Sequence, residues 1–169
     1  MHMEIPTWSD LTAQMLSLAE TRLLDPLEVL LESELESVRS RMAERAGAWA
    51  AYMLGTDEEL ATRTAIRLVH VLYPGDEPFD PPAEWWRTPL GVVVAWRAGH
   101  PGAHAVSYAV AGAMLGVSKQ AVHDLVNRGK LDRHADGGVT TASVHDRINQ
   151  RAALGVRAQR RGAESESRS

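Results

Sequence analysis

Between residues 74 and 83 the chain reads Pro-Gly-Asp-Glu-Pro-Phe-Asp-Pro-Pro-Ala. Four prolines in ten residues fix four φ angles and remove four backbone donors, so neither a helix nor a central strand can pass through. Such a segment is stiff and extended. The 169 residues are therefore expected to fold as two pieces, 8–73 and 84–153, joined by the linker 74–83 and followed by a disordered polar tail, 154–169. The charge changes sign at nearly the same place. Residues 1–84 carry 16 Asp and Glu against six Arg and no Lys, a balance of −10, whereas residues 85–169 carry 12 Lys and Arg against six acids, a balance of +6. The overall −4 averages two regions of opposite sign, and a polyanion is the natural partner for the basic one.

Several classes fall away on composition. Cysteine is absent, which removes disulfides, thiolate metal sites and a cysteine nucleophile. The apolar runs, such as residues 92–96, are far shorter than the ~20 residues a membrane helix needs. Glu4, Pro6 and Asp10 interrupt any apolar leader, so a cytoplasmic location is expected.

The acidic half reads as three helices. Ser9 is the expected N-cap of the first, which runs to about Leu24 with Leu11, Met15, Leu18 and Leu23 apolar. Asp25-Pro26 restarts the chain, since proline is tolerated at the first helical position. From there Leu27, Leu31, Leu35, Val38, Met42, Ala46, Trp49 and Met53 recur every three or four residues, predicting one long striped helix that ends at Gly55. Thr56 with Glu59 matches a capping box and opens a third helix carrying Ala61, Ile66, Leu68, Val69 and Leu72. Short connections make this a small bundle. The stripe fits either an intramolecular core or the seam of a homodimer through the N-terminal helices, and a homodimer is expected.

In the basic half, Trp85-Trp86 reads as a packing anchor, and Thr88-Pro89 starts a helix that reaches about Gly99. Residues 106–116 form a short helix stopped by glycine. Ser118 then caps a second helix, 118–128, which ends at Gly129. Helix, glycine turn, helix are the proportions of a helix-turn-helix. On the second helix Val122, Leu125 and Val126 share an inward face toward Ala111 and Leu115. The outward face carries Lys119, Gln120, His123, Asn127 and Arg128. Glutamine can pair bidentately with adenine and lysine can reach guanine O6 and N7, and the free N–H groups around Ser118 can hold a phosphate. Residues 131–134 and 139–140 read as two strands of a small β-wing about the turn 135–138. Thr140 or Thr141 then caps a closing helix with Val144 and Ile148 inward. The expected fold is mainly α: an N-terminal helical bundle followed by a winged helix-turn-helix with a two-stranded wing.

Ala111-Gly112-Ala113-Met114-Leu115-Gly116-Val117-Ser118, with Val122, Leu125, Gly129, Leu131 and Val139, resembles the DNA-binding headpiece of the MerR/excisionase group. The likeness covers residues 106–148 and none of residues 1–84. It implies base contacts from Ser118, Lys119, Gln120, His123 and Asn127, and phosphate contacts from Arg128, Lys130 and Arg133. Asp132 and Asp136 make this wing less basic than many in that group.

Other signals carry less. Pro101 and Gly102 lie between His100 and His104, so the two do not share a regular helix face, and no His-Glu-x-x-His pattern exists; no metal site is expected. Ser107, Ser118 and His145 include the residue types of a nucleophile and base, yet no local motif joins them. The expectation is a non-enzymatic protein, without cofactor, that binds duplex DNA as a sequence-specific transcriptional regulator. The alternatives are an accessory factor in recombination, plasmid maintenance or segregation, and a protein-interaction module on a helix-turn-helix fold. Arg157, Arg160 and Arg161 of the tail can add phosphate attraction.

Overall fold

The proline segment does not separate two cores. In the computed structural model, which describes residues 4–75 and 77–166, the buried side chains form one continuous cluster running from Leu11 and Met15 through Leu90 and Val94 to Val144 and Ile148. Phe79, from the middle of the segment, packs on Tyr73, Trp85, Trp86 and His100, with ring centroids 5.1–6.2 Å apart. The expected spacer is thus an irregular strap pinned down by an aromatic side chain. Residues of both 8–73 and 84–153 contribute to this one cluster.

The chain is mainly helical with one small antiparallel sheet. Helix α1 (Trp8–Ala19) starts at Thr7, whose Oγ1 accepts from the Asp10 N–H at 3.1 Å; the cap is therefore Thr7 and not Ser9. A π-helical turn (Glu20–Leu24) carries the chain directly into α2 (Asp25–Leu31). The chain stays helical across Asp25-Pro26, because Asp25 N–H bonds five residues back to Glu20. Widening the helix by one residue gives the proline ring room.

The long striped helix does not form. It breaks at residues 32–35, where Glu32 adopts φ +49° and closes α2. Helix α3 (Glu36–Leu54) begins beyond the break. The turn is held by side chains and not by a turn-forming residue: the Glu28 carboxylate accepts from Leu35 N–H at 2.9 Å, and Arg39 donates to Glu28 at 2.7 and 3.0 Å and to Asp25 at 2.8 Å. Helix α4 (Glu58–Leu72) is capped by Asp57, whose carboxylate accepts from Leu60 N–H, and not by Thr56.

After the strap, a 3₁₀ turn (Ala83–Arg87) buries Trp86 completely, as a packing anchor should. Helix α5 (Pro89–Ala98) has the expected Thr88 cap and ends at Gly99. It is the central rod, and it joins the halves by polar contacts as well as apolar ones. Gln14 of α1 accepts from Leu90 N–H at 2.7 Å, and Arg97 donates to the carbonyls of Met53 and Gly55 at 2.8 and 2.6 Å. Those carbonyls terminate α3, where a cation is favourable. Burial pulls the Arg97 guanidinium below its ordinary pKa, and its plane lies 3.6 Å from the Trp96 ring centroid.

The remainder is β1 (Ala105–Val106), α6 (Tyr108–Leu115), α7 (Lys119–Asn127), β2 (Val139–Thr140) and α8 (Thr141–Glu166). The sheet pairs β1 with β2, Ala105 opposite Thr140 and Val106 opposite Val139. Residues 131–134 are not a strand as expected: only Arg133 bridges to Val139. Val106 is buried and pairs with Val139, so the returning strand takes its main partner from upstream. Helix α8 also runs through much of the tail expected to be disordered, as far as Glu166. Alanine, arginine, glutamine and glutamate are good helix formers and outweigh the two glycines there. Residues 167–169 lie outside the described residues. No described helix is long and apolar enough to cross a membrane.

Candidate nucleic-acid interface

Helices α6 and α7 meet through a tight turn that two glycines make possible. Gly116 closes α6 in the left-handed region at φ +66°, where its N–H reaches back to the Ala113 carbonyl. Val117 N–H bonds to the Gly112 carbonyl at 2.8 Å. A Cβ on Gly112 would stand 2.8 Å from the Val117 carbonyl oxygen, so only glycine lets the turn lie directly on α6. The pair is then cemented by Val122 and Val126 of α7 against the buried Ala111 and Leu115 of α6. From the far side, Arg151 of α8 donates to the Leu115 carbonyl at 2.8 Å and satisfies the C-terminus of α6. Burial is the main cause that lowers the Arg151 pKa, and Arg147 adds to it.

Each helix start has its own cap. Ser107 Oγ accepts from Val110 N–H at 3.2 Å and Ser118 Oγ from Ala121 N–H at 3.1 Å. Ser118 is exposed, and its cap leaves the N–H groups of Lys119 and Gln120 in the open first turn, the positive end of the helix dipole. Lys119, Gln120 and Asn127 are exposed on the outer face of α7. His123 lies on that face but is half-buried: its ring stands edge-on to Tyr108 of α6, centroids 4.4 Å apart. No local pattern marks Tyr108 as a neighbour, since the contact crosses between helices.

Arg128 and Lys130 follow at the C-terminal end of α7, both exposed, where Lys130 N–H bonds back to the Leu125 carbonyl at 2.8 Å. Arg133 is exposed on the hairpin, which is held by Thr140 N–H to the Asp132 carbonyl at 2.9 Å and by Asp132 N–H to Ser143 Oγ at 3.1 Å. Ser143 belongs to α8, and its own N–H is capped by Thr140 Oγ1. The five residues expected to contact bases therefore lie on α7 and its N-cap, while the three expected to contact phosphates extend from its end onto the hairpin. Among the described residues none of Lys119, Arg128, Lys130 and Arg133 has an ion pair. Asp124, Asp132 and Asp136 are exposed in the same region.

Three other polar side chains have structural contacts. His145 Nε2 lies 2.9 Å from the Trp96 carbonyl, and Ser107 is occupied as a cap. His100 accepts Gly102 N–H on Nδ1 at 3.1 Å, and burial pushes its pKa down, against the pull of Asp80. Among the described residues no three His, Asp or Glu side chains gather so as to hold a metal ion. Comparison of the chain with models of known families, with curated proteins and with solved structures found no match.

Proposed function

We propose that the protein binds double-stranded DNA sequence-specifically through the outer face of α7 and acts as a transcriptional regulator. In this reading α6, α7, the hairpin of residues 132–140 and α8 constitute a winged helix-turn-helix. One observation carries it: Lys119, Gln120 and Asn127 stand exposed on a short helix whose opposite face is buried, with Arg128, Lys130 and Arg133 unpaired beside them among the described residues. A buried inner face fixes the helix rigidly, and long polar side chains on its outer face suit a groove lined with donors and acceptors. Ser118 and the first-turn N–H groups would take a phosphate, Lys119 and Gln120 would read bases, and His123, steadied by Tyr108, would contact the same groove. Asp124 puts a carboxylate on this surface, so nonspecific attraction is modest and base contacts carry more of the discrimination.

A homodimer would set two such helices about one DNA turn apart. We place its contact on α2, because Val29 is 76% and Leu30 80% exposed there.

The test is binding of labelled genomic fragments followed by fluorescence anisotropy between about 50 and 200 mM salt. Affinity should fall steeply with salt; Arg128→Ala with Lys130→Ala should reduce the slope of log K against log salt by about 2, whereas Lys119→Ala should relax base preference. Absence of binding to any fragment at low salt, or an unchanged slope in the double variant, refutes the assignment.

A further inference from the structure

A second candidate surface lies in the acidic half. Helices α3 and α4 and the end of α1 enclose a cleft of about 360 Å³, within the range of small-molecule sites. Its floor is apolar and closed, formed by Ala19, Leu68 and Leu72, all at most 5% exposed. Trp49 and Tyr52 of α3 supply an aromatic wall. Arg45 on one side, with Arg63 and Arg67 on the other, supply three guanidinium groups.

That concentration of charge runs against its surroundings. Residues 1–84 hold only six arginines among 16 acids, yet three of the six line this one cleft and no carboxylate does. Two of the others are engaged in holding the fold: Arg39 grips Glu28 and Asp25, and Arg22 donates to the Leu72 carbonyl and lies over Tyr73. Arg45 and Arg67 have no ion pair among the described residues, and Arg63 has only an exposed helical pair with Glu59, which is worth little. Thr64, 9% exposed, adds a hydroxyl to the lining.

We infer that this cleft binds an amphipathic organic anion, with one carboxylate- or sulfonate-type head and an apolar, ring-bearing body. The head is taken by the arginines, which suit bidentate recognition of planar anions; the body lies on the floor against Trp49 and Tyr52. A polyphosphate would leave the apolar floor uncovered, and a neutral hydrocarbon would leave the guanidinium groups without a counter-charge. The inference stands apart from the assignment of α7 to DNA.

The probe is 8-anilinonaphthalene-1-sulfonate, titrated into the full chain. It should bind one to one and take energy from tryptophan, a transfer that Trp49→Phe diminishes. Arg45→Gln combined with Arg67→Gln should weaken binding at least tenfold with unchanged circular dichroism, and the uncharged N-phenyl-1-naphthylamine should bind at least tenfold more weakly than the sulfonate. Leu30→Lys, on the exposed apolar helix α2, should leave dye binding unaltered. The inference is overturned by dye binding that survives the double arginine variant, that Leu30→Lys abolishes, or that the uncharged analogue matches. It is overturned equally if the double variant turns a dimer into a monomer in sedimentation, for the cleft would then be a protein contact.

Discussion

Helices α7 and α2 are nearly equal in length, nine and seven residues, and they meet solvent in opposite ways. α7 buries Val122 and Val126 and turns Lys119, Gln120 and Asn127 outward. α2 buries no residue, and Leu27, Val29, Leu30 and Leu31 are all 41% exposed or more. The means of attachment differ too. α7 rests on α6 by close packing at Gly112, while α2 is moored to the start of α3 by Arg39 and by the Leu35 N–H bond to Glu28. An outer face of amides and cations is stable in water and invites a polar, charged partner. An outer face of leucine and valine forgoes roughly 25 cal/mol for each Å² of apolar surface left uncovered, and only an apolar partner recovers it. The contrast assigns the two helices to two kinds of recognition.

The sharpest way to break the contrast is to put one carboxylate into each helix. Val122→Asp buries an unpaired charge at a site with no exposure and should cost on the order of 4 kcal/mol, a large share of the ~5–15 kcal/mol that keeps an ordinary domain folded. Leu30→Asp adds the same group at a site 80% exposed and should change monomer stability by less than ~0.5 kcal/mol. Chemical denaturation reads both. Sedimentation of Leu30→Asp reads the other side of the contrast, because a dimer through α2 should dissociate. A dimer indifferent to that change removes α2 from the interface.

A smaller effect is expected where α7 meets α6. Gly112→Ala brings a methyl carbon against the Val117 carbonyl at 2.8 Å, and the turn must move. The expected loss is about 1–3 kcal/mol, with DNA affinity falling further than stability explains if α7 is the reading helix. An unaltered melting temperature would mean the turn has slack that the geometry denies it.

The same contrast explains what the sequence disclosed. Around α7 each boundary is written in local chemistry: Ser107 and Ser118 are caps, Gly116 is the left-handed stop, and Val122 and Val126 mark the inner face. Thr88 and Gly99 bound α5 in the same way. Around α2 the determinants are distant in sequence or unusual in type. The left-handed position belongs to Glu32, where turn rules look for glycine or asparagine, and Leu35 is capped by a carboxylate seven residues earlier. Periodicity therefore ran Leu27 to Met53 together as one helix. Its later members, Ala46 and Met53, are buried in the shared core, and the earlier Leu27, Leu31 and Val38 are exposed. Strand β1 was illegible for a related reason, since two residues carry no period and Val106 finds Val139 only in three dimensions. Of the candidate site, the polar face of α7 was legible, while Tyr108 behind His123 and the arginine cleft between α3 and α4 depend on contacts that cross helices.

The mooring of α2 gives the finest test, because it responds to acid and α7 should not. Hydrogen bonds from Arg39 and from Leu35 N–H hold the Glu28 carboxyl at about 2, against an ordinary 4.5. The same contacts, with Glu28 foremost and Asp25 after it, raise the Arg39 pKa. A carboxyl depressed on folding stabilises the folded form above its unfolded pKa, and that contribution is lost as pH falls toward the folded value. The grip should therefore be complete above about 4.5 and should loosen between there and about 2. The observable is the Leu35 amide resonance, which should titrate well below 4.5 in the wild type and move up toward 4.5 in Arg39→Gln. Amides of α7 should hold still through that window. A Leu35 amide that already titrates at 4.5 in the wild type would show that Arg39 does not grip Glu28 in solution, and α2 would lose its only charged mooring among the described residues.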